Sequence, residues 1–200
     1  MQGLCYGTQK LTRFEHLSSG GQTMELKQKG TEANVGSFKQ LMVTMKWTTA
    51  ADFDLAAAYE TKAGKQGLVY FGEQGNLNAF PFMQLSGDEG VGDKDGNNEE
   101  VMRITKLDEM KSVWIMCWDY GKVQNGAPAR FKESDVSLSV MDDRGTTHNV
   151  TLDTGSLGNV ALIATIDNTS AIGAKLINDS KAGTLKGLKN LQQLLEIIES

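Results

Sequence analysis

Apolar and polar residues alternate in several short stretches of the chain. In residues 41–47 a large apolar residue stands at every second position, and Thr44 and Lys46 lie between. This is the period of a strand with one buried face, and residues 136–140 repeat it. Residues 113–118 are instead apolar throughout, which is typical of a strand covered on both faces. We predict that 113–118 is the central strand.

Other short apolar stretches extend this pattern along the chain. Further strands are predicted at residues 24–29, 53–59, 68–71, 100–105, 147–152 and 160–167. Turn signals such as Asn125-Gly126 separate them, and short strands at this spacing predict an all-β fold, an antiparallel β-sandwich. At 200 residues the chain is expected to form one domain, residues 17–200, after a poorly patterned leader of residues 1–16.

The end of the chain has the period of a helix. Apolar residues recur there at steps of three and four: Leu185, Leu188, Leu191, Leu195 and Ile198. This spacing predicts a C-terminal amphipathic helix that docks on the sandwich, although Gly187 weakens it locally. The alternative is an exposed helix that fills a groove of a partner.

Composition narrows the classes of partner. The net charge is −5 with a pI near 5.1, and no cluster of Lys and Arg is interleaved with aromatics, so nucleic acid is not expected as a partner. No apolar run approaches the length of a transmembrane segment or a signal peptide, which predicts a cytoplasmic protein. Cys5 and Cys117 do not form a disulfide framework, and three Asn-x-Ser/Thr triplets carry no meaning in a cytoplasmic chain.

Residues 85–100 form an acidic, glycine-rich segment. Its six carboxylates are those of Asp88, Glu89, Asp93, Asp95, Glu99 and Glu100. Calcium is bound by about six to eight oxygens from carboxylates, amides and backbone carbonyls on a flexible chain, and this segment supplies all three. Without a cation the carboxylates repel one another. The alternative interpretation is a solvated acidic loop.

Asp52-Phe53-Asp54 provides a second acidic patch. In a strand both carboxylates would lie on one face and Phe53 on the other. An apolar stretch, residues 55–59, follows at once, so the two aspartates stand at the edge of a core. This position favours metal binding over simple solvation.

Two common ligand-binding loops do not fit the acidic segment. An EF-hand needs acidic residues at alternate positions and a glutamate at position twelve, but counting from Asp88 to Glu99 places glycines at positions three and five. The glycine spacing is also wrong for a dinucleotide loop, and the carboxylates would repel phosphate.

These segments carry a resemblance to a known family. The matching stretches are residues 18–26, 46–55, 68–71, 87–99, 136–138 and 182–188, and the most specific is Gly-Asp-Glu at 87–89 followed by Gly-Asp-Lys-Asp-Gly-Asn-Asn-Glu at 92–99. Together they resemble the TerD family of bacterial tellurite-resistance and stress-response proteins, over about residues 17–195.

The resemblance implies a β-sandwich that binds calcium at one end. The ligands it implies are Asp52, Asp54, Asp88, Glu89, Gly92, Asp93, Asp95, Asn97, Asn98 and Glu99. The chain departs from the family at Ala56, where an aspartate is usual, at Gly72-Glu73, where asparagines are usual, and at Asn97-Asn98, where aspartates are usual. Lower ligand charge implies weaker binding, or one ion where relatives hold two.

The leading functional hypothesis is a calcium-responsive module without catalytic activity. The ion would order the acidic loop, which then engages a protein partner or a membrane-associated complex. One alternative is a metal-dependent hydrolase or phosphotransfer enzyme, for which a general base and phosphate-binding cations are missing around the loop. Another is a structural domain in which the metal only staples a long loop.

The residues that resemble catalytic groups have simpler explanations. His16 and His148 have no metal-ligand spacing, so each is expected to be a surface or hydrogen-bonded histidine. Cys117 lies in the most apolar strand, where a thiol behaves as a small hydrophobe. The alternative is that sulfur of Cys117 and the methionines reacts with tellurite or other oxidants. Trp114 and Trp118 are expected to share one face as core residues.

Overall fold

The computed structural model describes residues 21–86, 98–129, 131 and 134–200. Its strands are β1 Thr23–Leu26, β2 Glu32–Asn34, β3 Leu41–Trp47, β4 Phe53–Thr61, β5 Gln66–Val69, β6 Gly75–Asn76, β7 Met83–Leu85, β8 Asn98–Ile104, β9 Met110–Asp119, β10 Ser137–Asp142, β11 Thr147–Thr151, β12 Val160–Asp167 and β13 Lys175–Gly183. The helices in this part of the chain are α1 Tyr120–Asn125 and α2 Leu191–Glu199.

The strands form two sheets that enclose a common core. One sheet has the order β1-β11-β10-β3-β8-β7-β6, and the other has the order β2-β13-β12-β9-β4-β5. The chain crosses from one sheet to the other at both edges, between β1 and β2 and between β5 and β6. The predicted sandwich is confirmed. One pair departs from the antiparallel prediction, because β1 pairs with β11 in parallel.

The six-stranded sheet is buried on both faces. Its middle strands β4, β9 and β12 are buried along almost their whole length. Leu55 faces the core between the sheets, whereas its neighbour Ala56 faces a second apolar cluster beneath the helices. Trp114 and Trp118 belong to the second cluster and Cys117 to the first, as predicted. The prediction that 113–118 is a central strand is also confirmed.

Helix α2 provides much of the outer cover. Its buried residues are Leu194, Leu195, Ile197 and Ile198, which pack in the second cluster with Ala56, Ala58 and Trp118. The close approach requires glycine at position 183, because a Cβ there would lie 2.7 Å from Cγ1 of Ile197. The predicted docking of the C-terminal helix on its own sandwich is therefore what the structure shows.

The helix is shorter than its apolar period predicts. It begins at Leu191, so Leu185 and Leu188 lie before it and pack against the same cluster without being helical. Gly187 has a φ of +75°, which breaks a continuous helix. Asn190 then acts as N-cap and forms a capping box with Gln193.

Elements that the sequence did not reveal lack a clear apolar period. The strands are β2, β6, β7 and β13, of which the first three have only two or three residues. In β13 the buried positions include Asn178 and Ser180, so apolar and polar residues do not alternate. Helix α1 follows β9 directly because Asp119 caps it, accepting from Lys122 N at 2.9 Å, and Gly126 ends it in the left-handed conformation.

Asn159 joins the segment after β13 to the end of α1. Its side chain is fully buried, and Nδ2 donates to the carbonyls of Lys122, Ala127 and Leu185 at 3.3, 3.1 and 2.7 Å. Its Oδ1 accepts from Leu185 N at 2.8 Å. One buried amide thus satisfies backbone groups of three segments on the outer face, which fixes their relative positions.

His148 differs from the sequence expectation. It is 2% exposed, and its Nδ1 has no hydrogen-bond partner among the residues described, whereas a surface or hydrogen-bonded histidine was expected. The reason is its position in β11, where it faces the core between the sheets, as Val150 does. Burial lowers the pKa of His148, and the charge of Asp142 opposes this shift only in part.

The stability of the fold is therefore expected to depend on the charge of His148. Below about pH 6.5 the unfolded chain gains a proton at this imidazole that the folded chain does not, so the free energy of unfolding falls, by at most about 1.4 kcal/mol per pH unit. Urea unfolding between pH 5 and 8 should show this loss in the parent and a smaller one in His148→Leu. Parallel curves for the two proteins would contradict it.

Candidate functional site

The start of β4 separates its side chains as the Asp-Phe-Asp pattern predicts. Phe53 enters the core, with its ring centroid 5.7 Å from that of Trp47 and 5.8 Å from that of Phe131. Asp54 faces the opposite side, where its Oδ2 accepts from Trp118 Nε1 at 2.8 Å. The carbonyl of Asp52 accepts from the amide of the first residue of α1 at 2.9 Å.

The start of β8 contributes groups from the other sheet. Asn98 and Glu100 are buried, whereas Glu99 lies on the opposite face and pairs with Lys46, with Nζ and Oε2 2.8 Å apart. Glu100 Oε2 accepts a hydrogen bond from the amide of Leu55. This bond joins the two sheets, so the end of the acidic segment lies against the Asp-Phe-Asp segment.

Three carboxylates concentrate negative charge at this end of the sandwich. Asp54, Glu100 and Asp119 are 8%, 6% and 8% exposed. Burial raises the pKa of the Cys117 thiol, and the charges of these three carboxylates raise it further. A buried thiol that holds its proton so firmly is a poor nucleophile, which agrees with its predicted role as a core residue and disfavours the oxidant hypothesis.

The described residues form part of the predicted calcium site and not the whole of it. Asp88, Glu89, Gly92, Asp93, Asp95 and Asn97 lie outside them. Within residues 21–86 and 98–200, apart from 130, 132 and 133, no group of three or more His, Cys, Asp or Glu side chains is arranged to hold a metal. The oxygen donors present at this end, those of Asp52, Asp54 and Asn98, are of the kind that hard cations prefer.

Two carboxylates of this region were not among the predicted ligands. Glu100 contacts the site because every second residue of β8, starting from Asn98, is buried. This alternation was a signal in the sequence that could have identified Glu100. Asp119 pairs with Phe53 across β4 and β9. Only the register of the sheet brings it there.

Packing explains two departures from the TerD pattern. Ala56 is fully buried in the second cluster beside α2, so a carboxylate at this position would lie under the helix. At Gly72 a Cβ would be 2.7 Å from atoms of the Tyr70 ring, so glycine lets this ring lie close over the turn. Both departures let aromatic and helical groups cover the outer face beside Asp54.

The chain is thus an all-β protein: a two-layer sandwich with an outer helix and a carboxylate-rich end. No model of a protein family matches the sequence, and no curated protein matches it. Two solved structures have a similar fold at 15% sequence identity.

One of these structures is a protein of unknown function, SAV2460, with a TM-score of 0.54 over 76% of this chain and 92% of that one. The other is a homologue of telluride resistance protein (TerD), SCO6318 from Streptomyces coelicolor A3(2), with a TM-score of 0.52 over 73% of this chain and 90% of that one. The chain has a TerD-like fold.

The two neighbouring glutamates of β8 provide a matched test of the site. In chelator-treated protein, Glu100→Ala leaves the buried amide of Leu55 without its acceptor, which costs about 1–3 kcal/mol of unfolding free energy. Glu99→Ala removes only an exposed ion pair and should cost less than about 1 kcal/mol. Glu100→Gln keeps an acceptor and should lose less than Glu100→Ala. Equal urea midpoints for both alanine variants would contradict the role of Glu100.

Proposed function

We propose that the protein is a calcium-binding module whose acidic loop is ordered by the ion. The observation that supports this most directly is the hydrogen bond from Leu55 to Glu100, since it holds the end of the acidic segment against Asp54. Calcium is held by carboxylate and amide oxygens, and Asp52, Asp54 and Asn98 bring such oxygens to this end of the sandwich. Loop carboxylates from 88 to 95 would complete the ligand set with Asp52, Asp54 and Asn98.

Calcium suits this donor set better than zinc or copper, because all the proposed donors are oxygens. Glu99 is the weakest member of the predicted set, since its carboxylate pairs with Lys46 on the opposite face of β8. Amides in place of carboxylates at positions 97 and 98 lower the charge of the site. We therefore expect weaker binding than in TerD proteins, or one ion where they hold two.

The ordered loop would act as a binding surface in a stress response, without catalysis. The fold shared with a homologue of telluride resistance protein supports this role. In this proposal the protein works in the cytoplasm and engages a protein partner or a membrane-associated complex. No helix in the described part of the chain is long and apolar enough to cross a membrane.

Calorimetric titration of calcium into chelator-treated protein tests the site. Asp54→Asn and Asp88→Ala should each weaken binding by about tenfold or more, because each removes a charged ligand. Glu99→Gln should bind nearly as the parent does, since its carboxylate faces away. Absence of heat from the parent, or identical heats for parent and Asp54→Asn, would refute calcium binding here.

A binding role and a purely structural role of the metal predict different partner behaviour. Immobilised protein should retain a partner in calcium and lose it in chelator, and Asp54→Asn should lose it in both. If the metal only staples the loop, the same partner would be retained in both conditions. Thermal melting cannot tell the binding role from the structural role, because bound calcium stabilises the fold in both.

A further inference from the structure

An aromatic cavity of about 460 Å³ lies on the outer face of the six-stranded sheet, between β5, α1 and the start of α2. Trp118 and Val123 are buried within its lining. Phe71 and Tyr120 also line it, but are 40% and 41% exposed, which is unusual for large aromatic side chains. Its volume lies within the range of about 300–1,000 Å³ that is typical of small-ligand sites.

The aromatic rings of the cavity stand at steep angles to one another. The rings of Tyr70 and Phe71 are 5.1 Å apart at 71°, and those of Phe71 and Tyr120 are 5.9 Å apart at 83°. The rings of Tyr70 and Trp118 are 6.4 Å apart at 60°. Aromatic side chains commonly pack at such angles. We call Tyr70, Phe71, Trp118 and Tyr120 the aromatic box, because all four line the cavity and their ring faces can attract a cation.

A tight turn fixes part of this box. The amide of Tyr70 donates to the carbonyl of Glu73, and the amide of Glu73 donates to the carbonyl of Tyr70, each at 3.0 Å. Phe71 and Gly72 form the tip of the turn, and the Tyr70 ring packs where a Cβ of Gly72 would be. Two aromatic walls and one carboxylate are therefore held on a single short segment.

The charge around the box favours a cation. Glu73 belongs to its lining, and its negative charge contributes to the raised pKa of Tyr59, after burial. Asp54 adds a second carboxylate behind the wall, bonded to the indole N–H of Trp118. Lys189 also lines the cavity, but it is an exposed residue whose ammonium can extend into solvent.

We propose that this aromatic cavity binds a small organic cation with alkyl groups on nitrogen, of the quaternary-ammonium class. The aromatic faces attract the diffuse positive charge while the alkyl groups leave water, and Glu73 neutralises the charge at the edge of the cavity. The site does not depend on calcium binding.

Titration with choline, in the presence of chelator, tests the proposal. Choline should cause saturable shifts of the Trp118 indole resonance, and 3,3-dimethylbutan-1-ol, its neutral analogue of the same shape, should bind at least about tenfold more weakly. Phe71→Leu and Glu73→Gln should each weaken choline binding by about fivefold or more. The matched control, Glu109→Gln, alters an exposed carboxylate at a different cavity and should bind as the parent does.

The competing outcomes are distinct. Equal binding of the neutral analogue would show an apolar pocket without cation preference and would overturn the proposal. Lys189→Gln should bind choline as well as the parent or better, because it removes a positive charge, so a loss of binding in this variant would show that charge does not govern binding and would also overturn it. No shift with either compound in folded parent protein would refute the site.

Discussion

The six-stranded sheet is buried on both faces, and this double burial determines how the remaining elements are arranged around it. The sheet packs its inner face on the other sheet, and its outer face needs a cover that the sandwich alone does not provide. Helix α2 supplies this cover, and Gly183 and Ala56 make room for it. Asn159 then fixes the segments that lead to the helix, because its buried amide would be costly without its backbone partners.

The same burial determines the electrostatics of the acidic end. Strands that are apolar on both faces leave little room for charge, so polar side chains collect where β4, β8 and β9 begin or end. There Asp54, Glu100 and Asp119 are removed from water by the core beside them. Burial raises the pKa of the Cys117 thiol, and the charges of these three carboxylates raise it further. Negative potential at this end thus follows from the architecture, before any ion is considered.

Sequence patterns predicted those strands whose apolar residues recur with a local period. Alternation identified β3, and the continuous apolar run identified β9 as a strand covered on both faces. Strand β13 was not predicted because the polar residue Asn178 occupies a core position, where its side chain donates to two backbone carbonyls. The acidic pair of β4 was visible, but the contact between Leu55 and Glu100 spans 45 residues. The aromatic cavity joins four segments, and no local pattern could have indicated it.

Trp118 physically links the two proposed sites. Its indole N–H donates to Asp54, whereas its ring lines the aromatic cavity. A calcium ion at Asp54 would cancel the part of the negative potential at the cavity that Asp54 provides, and leave that of Glu73. A cation in the cavity would in turn weaken calcium binding by the same factor, because the coupling between two sites is reciprocal. Since both ligands are positive and both sites lie near Asp54, the electrostatic part of this coupling is antagonistic, and each ligand would lower the affinity for the other.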